Sequence, residues 1–299
     1  MKGSVVAVTG SEGFIGKELV RRLNELGAEV HTFDLQINKN MDITNPEVVY
    51  NWITAVKPKY VFHLAANSIV SDSANKPLRT YEINVQGTWN VLDACRLSPF
   101  VKGVVATSSN HIYGEHDGAP TDEDAQFNHT DTYAITKIAS DYICKNYGKV
   151  YNVPVVALRH TNVYGPTDPH ESHLIPYLLR CMLNTEKPVI KSNGLIKKGF
   201  MYMDDVLDAY ILCAEKAQEW KGEGINCSTE ESFSPLDIWD IIQNEFDVNM
   251  PAIVEGNEVN ESDENLDCTR LIEAGWYQKV SLRDGLHRTV KDFEEFIGQ

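Results

Sequence analysis

Short apolar runs alternate with amphipathic stretches through the first half of the chain. Residues 4–9 (SVVAVT) form a β-branched run, which predicts a buried strand. Residues 14–26 have the periodicity of an amphipathic helix and end before Gly27, a residue typical of helix C-termini. The alternation continues and predicts further elements: helices at residues 46–56, 79–96 and 133–147, and strands at residues 29–34, 60–64, 103–108 and 154–158.

This order predicts an α/β fold with a doubly wound parallel sheet of the Rossmann type. Helices that alternate with parallel strands cover both faces of the sheet, and right-handed crossovers set the winding. We assign residues 1–165 to this nucleotide-binding domain, to which residues 200–221 return with a helix at 204–217. The pattern is less regular elsewhere, so residues 166–199 and 222–299 are predicted to form a smaller substrate-binding lobe.

A glycine-rich loop, TGSEGFIG, follows the first predicted strand and precedes the first predicted helix. Glycine at such a turn lets the backbone approach a pyrophosphate, and the helix N-terminus favours its negative charge. The context of strand, loop and helix is the one that a dinucleotide-binding motif requires. We therefore assign cofactor binding to this loop, at Gly10, Gly13, Phe14, Ile15 and Gly16.

Asp34 closes the second predicted strand. A carboxylate at this place can accept hydrogen bonds from the adenosine ribose, and it would repel the 2′-phosphate of NADP. No Arg or Lys follows until Lys39. The sequence therefore predicts NAD as the cofactor, and the alternative for Asp34 is a solvated turn residue.

A tyrosine and a lysine are spaced four residues apart on the predicted helix at 133–147, in YAITK. Tyr133 and Lys137 then share one face, and the ammonium is expected to lower the pKa of the tyrosine so that Tyr133 can take a proton from a hydroxyl. Ser109 follows a late strand, where it can orient the reacting oxygen. The alternatives are a chance YxxxK spacing and a turn-capping hydroxyl.

The charge balance narrows the possible partners. The 299 residues include 27 Lys and Arg and 43 Asp and Glu, giving a net charge of −16 with no basic cluster. This argues against nucleic acid and against an anionic membrane surface, and no apolar run approaches the ~20 residues that span a bilayer.

The spacing of the cysteines and histidines indicates the cellular compartment and bears on whether the protein binds a metal. The six cysteines are far apart and predict free thiols in a reducing compartment; with no apparent signal peptide, we expect a cytoplasmic protein. The spacing of His170 and His173 in an irregular segment predicts solvated side chains, and we expect no metal.

At the level of ordered motifs, the chain resembles the extended short-chain dehydrogenase/reductases, specifically the NAD-dependent nucleotide-sugar epimerase/dehydratase family. The resemblance covers nearly the whole chain. Its motifs occur in order: TGSEGFIG, Asp42-Ile43, HLAA at residues 63–66, INVQGTWNV at 83–91, TSSNHIYG at 107–114, YAITK at 133–137, LRHTNVYGP at 158–166 and GFMYMDDVLDAY at 199–210.

The resemblance implies roles for residues that spacing alone does not assign. It places Asp42 and Ile43 near the adenine, and it makes Leu64, Ala65 and Ala66 part of the cofactor channel, with Asn84 a buried residue on the cofactor side. It implies that Asn110, His111, Asn162 and Lys198 bind a nucleotide-diphosphate sugar. It also implies a homodimer paired through helices at 79–96 and 133–147.

Departures from the family pattern leave the reaction open. Lys198 stands where many members have an arginine, and residues 187–194 and 261–270 most resemble the CDP-glucose 4,6-dehydratase branch. Dehydratases carry carboxylates just after the catalytic serine, whereas this chain has Asn110 and His111, as uronate dehydrogenases do.

The resemblance therefore implies an NAD-dependent epimerase that oxidises the sugar at C4 to a 4-keto intermediate and reduces it again. A 4,6-dehydratase, a 4-keto-sugar reductase and a uronate-type dehydrogenase remain alternatives. A non-catalytic NAD-sensing subunit is a further hypothesis, against which the intact Ser-Tyr-Lys trio argues.

Overall fold

The structure is a computed structural model that describes residues 1–114, 120–166, 168–170, 172–256 and 263–297. The strands over these residues are β1 (Val5–Thr9), β2 (Glu29–Phe33), β3 (Tyr60–His63), β4 (Gly103–Thr107), β5 (Val155–His160), β6 (Asn162–Tyr164), β7 (Val189–Ile190), β8 (Lys198–Tyr202), β9 (Glu223–Cys227), β10 (Ser232–Phe233) and β11 (Ile253–Val254). The helices are α1 (Phe14–Glu25), α2 (Pro46–Val56), α3 (Val70–Asn75), α4 (Pro77–Tyr81), α5 (Gly87–Arg96), α6 (Thr132–Lys149), α7 (Leu174–Leu183), α8 (Met203–Lys216), α9 (Pro235–Glu245), α10 (Thr269–Glu273) and α11 (Leu282–Ile297).

Six of the described strands form one parallel sheet in the spatial order β2-β1-β3-β4-β5-β9. The chain goes to one side of β1 for β2 and to the other side for β3. The topological switch point, where sheets of this kind bind ligands, therefore lies between β1 and β3. The predicted doubly wound Rossmann-type fold is confirmed.

Alternate residues of each strand face opposite sides of the sheet and fill two cores. Val6 and Val8 pack with α1 and α8 on one face. Ala7 points to the other face, where α2, α5 and α6 cover the sheet. Burial on both faces explains why these strands are almost continuously apolar in the sequence.

Strand pairing differs from the predicted domain boundaries at three places. Strand β6 lies within residues 1–165, which were assigned to the nucleotide domain, but it pairs with β8 in a separate small sheet. Strand β9 lies within residues 222–299, which were assigned to the lobe, but it pairs with β5 as the sixth strand of the large sheet. Residues 200–202 were assigned to the nucleotide domain, but they belong to β8 in a separate small sheet. These differences have one cause, because strand pairing between distant segments leaves no local periodicity to detect.

The lobe consists of small sheets and helices around a third core. Strands β10, β8 and β6 form a three-stranded sheet, and β11 pairs with β7. Side chains from α7, α9 and α11, including the fully buried Trp239, complete this core. The composition of residues 255–265 predicts a loop, of which residues 257–262 lie outside the described residues.

All six cysteines are buried and free, as their spacing predicts. Among the helices that the structure describes, none is long and apolar enough to cross a membrane.

A buried ion pair joins the sheet to the helix that carries the tyrosine and the lysine. Arg159 on β5 makes a bidentate contact with Asp141 on α6, with N–O distances of 2.8 and 2.9 Å, and both residues are about 95% buried. Arg159 also donates to the hydroxyl of Tyr113 at 2.7 Å and to the carbonyl of Glu123 at 2.9 Å. Charges at this depth are tolerated only when they are paired and fully hydrogen-bonded.

Replacing Asp141→Ala is expected to lower the free energy of unfolding by about 3–5 kcal/mol, because it leaves the Arg159 guanidinium buried and uncompensated. Urea denaturation followed by circular dichroism measures the change. The matched control is Glu25→Ala, which removes an exposed partner of Arg21 and should cost less than about 1 kcal/mol. An equal decrease in the free energy of unfolding in the two variants would show that the buried pair stabilises the fold no more than the exposed one.

Candidate active site

The carboxyl ends of β1 to β5 line one long cleft with a volume of about 1030 Å³. Most of the residues that the sequence assigned to the site lie in its wall: Gly10, Gly13, Phe14, Ile15, Gly16, Asp34, Asp42, Ile43, Leu64, Ala65, Ala66, Ser109, Asn110, His111, Tyr133, Lys137 and Asn162. Two predicted residues, Asn84 and Lys198, lie outside this wall.

The glycine loop is shaped by close backbone packing. Gly10 has a positive φ of 70°, and a Cβ there would lie 2.5 Å from the backbone nitrogen of Ala65. A Cβ on Gly16 would overlap the carbonyl oxygen of Gly10. The loop therefore folds tightly against the end of β3 and leaves the N-terminus of α1 facing the cleft, an arrangement suited to a pyrophosphate.

Two carboxylates, those of Asp34 and Asp42, line the cleft in the segment that follows β2. Asp34 accepts hydrogen bonds from the backbone nitrogens of Glu12 at 3.0 Å and Gln36 at 2.8 Å, which fix its orientation at the end of β2. Four lone-pair sites on a carboxylate leave room for ribose hydroxyls as well. The residues present at this end therefore fit NAD.

Arg79 also lines the cleft and was missed in the sequence. Its guanidinium contacts Asp42 and Glu82, each at 3.1 Å, so its charge is balanced at this site. Burial would raise the pKa of Asp42, but hydrogen bonds from Thr44 and the contact with Arg79 outweigh it and lower that pKa. Nothing in the sequence around Arg79 distinguishes it from a solvated helix residue.

The Ser109-Tyr133-Lys137 trio meets at the opposite end of the cleft. Ser109 follows β4, and its hydroxyl is hydrogen-bonded to Tyr133 and accepts from the backbone nitrogen of His111 at 3.2 Å. The Lys137 ammonium donates to the carbonyl oxygen of Thr107 at 2.7 Å. Helix α6, which the i,i+4 spacing of Tyr133 and Lys137 predicts, thus presents both side chains to the end of β4.

The expected effect of Lys137 on Tyr133 is not what the structure shows. Burial raises the pKa of Tyr133 to about 12, although the hydrogen bond with Ser109 opposes this rise. The Lys137 ammonium lies 5.9 Å from the centroid of the tyrosine ring and is bound to a carbonyl. Its own pKa falls to about 8 because it is buried. The pKa of Tyr133 is therefore raised rather than lowered as the sequence predicts, because burial disfavours the charged tyrosinate.

Asn84 lies behind the cleft wall, in a π-helical turn (Glu82–Gln86) that interrupts the predicted continuous helix at 79–96. Its amide accepts from the backbone nitrogen of Asn67 at 2.7 Å and donates to the Asn67 carbonyl at 3.0 Å and the Thr136 hydroxyl at 2.9 Å. Asn84 therefore holds the loop after β3 against α6, one turn from Tyr133 and Lys137.

A second cavity of about 460 Å³ adjoins the cleft. Asn162 lines both spaces, whereas Lys198 lines only this second cavity. Glu264, which the sequence did not single out, joins the two regions: its carboxylate lies 2.9 Å from the Lys198 ammonium and 2.5 Å from the Asn110 amide nitrogen. Its acid-rich segment carries no periodicity that marks it as part of a site.

His111, His129 and Asp131 form a cluster with candidate ligand atoms within 4.8 Å of one another. Hydrogen bonds account for the two later side chains. Asp131 begins α6 by accepting from the backbone nitrogen of Ala134 at 3.0 Å. His129 Nδ1 contacts Asp131 at 2.8 Å and lies 3.0 Å from the backbone nitrogen of Thr130. We interpret Asp131 and His129 as the cap of α6.

Lys137→Met tests the burial of the ammonium. Below pH 8 both the folded and the unfolded wild-type protein carry this charge, and burial makes it destabilising. Above pH 8 the folded protein loses the proton while the unfolded chain keeps it up to about pH 10.5, so wild-type stability rises relative to the variant. Between pH 8 and 9.5 the difference in unfolding free energy should change by about 2 kcal/mol in favour of wild type. Urea titrations of both proteins measure it, and a pH-independent difference contradicts the lowered pKa.

Comparisons with known proteins agree with this geometry. The model of the NAD dependent epimerase/dehydratase family matches residues 6–228. The chain is 30% identical to a putative UDP-glucose 4-epimerase of Methanocaldococcus jannaschii, over 96% of this chain and 97% of the relative. A UDP-glucose 4-epimerase of Mycolicibacterium smegmatis is also 30% identical over the same shares.

Solved structures give the same result. A UDP-glucose 4-epimerase of Thermotoga maritima with UDP-glucose superposes with a TM-score of 0.89 at 27% identity, covering 98% of this chain and 99% of that one. The Thermus thermophilus UDP-glucose 4-epimerase complex with NAD superposes with a TM-score of 0.84 at 26% identity, over 97% and 98% of the chains. This protein is an NAD-dependent enzyme, and it belongs to the NAD-dependent epimerase/dehydratase family.

Proposed function

We propose that this enzyme is a nucleotide-sugar 4-epimerase. The observation that carries the proposal is the position of the Ser109-Tyr133-Lys137 trio, which lies at the end of the cofactor cleft where Asn162 opens into the second cavity. A sugar nucleotide in that cavity can present its C4 hydroxyl to Tyr133. The relatives at 30% identity bear the name of the same activity, acting on UDP-glucose.

Different residues of the cleft bind different parts of the cofactor. The glycine loop binds the pyrophosphate of NAD, Asp34 binds the adenosine ribose, and Lys137 holds the nicotinamide ribose. When bound, NAD supplies a reversible hydride acceptor for the sugar carbon.

Tyr133 takes and returns the proton of the C4 hydroxyl, and Ser109 orients that oxygen through the hydrogen bond that it already makes with Tyr133. Because burial keeps Tyr133 protonated in the protein alone, the tyrosinate needs a further positive charge in the closed site. NAD bound beside Lys137 would supply such a charge.

The residues after Ser109 favour epimerisation over dehydration. A 4,6-dehydratase requires an acid and a base to eliminate water across C5 and C6, and Asn110 and His111 do not supply a carboxylate pair. Burial lowers the pKa of His111, so its neutral form dominates at pH 7. The second candidate is a net oxidoreductase, a 4-keto-sugar reductase or a uronate-type dehydrogenase, which the Ser109-Asn110-His111 order supports.

Retention of the cofactor separates these candidates. Mass spectrometry of the small molecules released on denaturing extensively dialysed protein should detect NAD, since a redox-neutral epimerase regenerates its cofactor in every cycle. A protein that emerges empty and consumes NADH stoichiometrically with a 4-keto sugar would be a reductase.

Tyr133→Phe should reduce kcat for UDP-glucose epimerisation by about a thousandfold, because it removes the proton acceptor while keeping the buried ring. The amount of NAD retained after dialysis, measured by mass spectrometry of the denatured protein, should change little. Tyr50→Phe, on the exposed side of α2, is the matched control and should keep wild-type kcat. Substantial activity in the Tyr133 variant would remove this residue from the mechanism.

We further propose that two copies of the chain pair through the outer face of α4, α5 and α6. Large apolar side chains lie exposed along these helices, among them Tyr81, Trp89, with 44% of its surface accessible, and Tyr142, with 57%. Exposed aromatic residues on neighbouring helices are typical of an interface. The helices are the ones through which the family resemblance implies a dimer.

Trp89→Arg should convert the dimer to a monomer, because it places a charge in the centre of the proposed contact. Sedimentation velocity at micromolar protein measures the change. Tyr277→Arg, which alters an aromatic residue that is 64% exposed and lies outside these helices, should leave the sedimentation coefficient unchanged. A wild-type protein that sediments as a monomer would contradict the proposed dimer directly.

A further inference from the structure

Glu264 contacts two residues that the sequence assigned to the substrate. One carboxylate oxygen lies 2.9 Å from the ammonium of Lys198, and the other accepts from the amide of Asn110 at 2.5 Å. Asn110 follows β4 in the nucleotide domain, whereas Lys198 begins β8 in the lobe. One acidic side chain therefore binds polar groups on both sides of the junction between the cleft and the second cavity.

The main chain holds Glu264 in this position. Its backbone nitrogen donates to the carbonyl of Lys197 at 2.8 Å, and its carbonyl accepts from the hydroxyl of Ser232 at 3.2 Å. The neighbouring Asp263 accepts from the backbone nitrogen of Lys197 at 2.8 Å. Because the segment is pinned along two strands, the Glu264 carboxylate stays close to Lys198 at a high effective concentration.

Partial burial strengthens this ion pair. The side chains of Lys198 and Glu264 are 30% and 22% exposed, so solvent and salt screen their attraction less than that of a surface pair. Any anionic ligand that uses Lys198 must either displace the carboxylate or bind beside a negative charge. Both routes reduce the affinity of the ligand.

We propose that Glu264 is an internal competitor for the diphosphate subsite and thereby sets the affinity of the enzyme for its sugar nucleotide. The proposal rests on the proposed function, since it takes Lys198 as a ligand of the substrate diphosphate. A diphosphate has more charge and more acceptor oxygens than a carboxylate, so it can exchange for Glu264 at Lys198. The exchange moves no covalent bond and keeps bound substrate and product from being held too tightly.

Calorimetric titration of the purified full chain with UDP, CDP, GDP and dTDP first identifies the nucleoside diphosphate that binds best. Glu264→Gln keeps the shape of the side chain and removes its charge, so this ligand should bind about tenfold more tightly. The corresponding nucleoside, which lacks phosphate, should show no gain. Asp263→Asn, which changes the adjacent acid that contacts only backbone among the described groups, should show none either.

Lys198→Met identifies the group for which Glu264 competes. In the double variant with Glu264→Gln, the tenfold gain should disappear, because no ammonium remains to be released. The amount of NAD retained after dialysis, compared with wild type by mass spectrometry, checks that each variant keeps a folded cofactor site.

The outcomes separate this inference from the proposed function. A nucleoside diphosphate that binds wild type but gains nothing from Glu264→Gln, or binds it more weakly, overturns the competition and leaves the epimerase proposal intact. A gain that persists without Lys198 also overturns it. If NAD binds and none of the four diphosphates does, the sugar-nucleotide function itself fails, and the inference with it.

Discussion

Parallel strands in register end at one edge of a sheet, and the site of this enzyme depends on that constraint. The strands β1 to β5 lie in the order 2-1-3-4-5, so residues far apart in the chain share one cleft. The glycine loop follows β1, Asp34 follows β2, and Ser109 follows β4. Strands β1 and β4 are buried on both faces, and β2 pairs with β1 at the edge of the sheet, which gives the polar cleft a rigid base.

The same constraint explains what could be predicted from the sequence. Strong local signals, such as the apolar run of β1 or the helical spacing of Tyr133 and Lys137, correspond to elements that the structure contains within a few residues. Since the edge of a parallel sheet is fixed by chain direction, these local signals were enough to assemble most of the cleft. Strand β9 escaped because its place is decided by pairing with β5 rather than by its own composition.

Energetic balances were harder to predict than positions. The YxxxK spacing placed Lys137 and Tyr133 together, but it carried no information on burial, which here raises one pKa and lowers the other. Glu264 was missed for a related reason, since its contacts with Asn110 and Lys198 join three segments that no local pattern connects. In both cases the outcome depends on an electrostatic effect that exists only in the folded chain.

The pairing of β5 with β9 also bears on how the chain reaches this state. Between these two strands in the sequence lie β6, β7 and β8, together with α7 of the lobe and α8 of the nucleotide domain. The large sheet therefore cannot be completed on the ribosome until those segments have been synthesised. Pairing strands that are far apart in the sequence requires the closure of a long loop, and the entropic cost of that closure falls late in synthesis. The edge of β5 thus stays unpaired during synthesis until β9 emerges, and until then it can pair with a wrong strand.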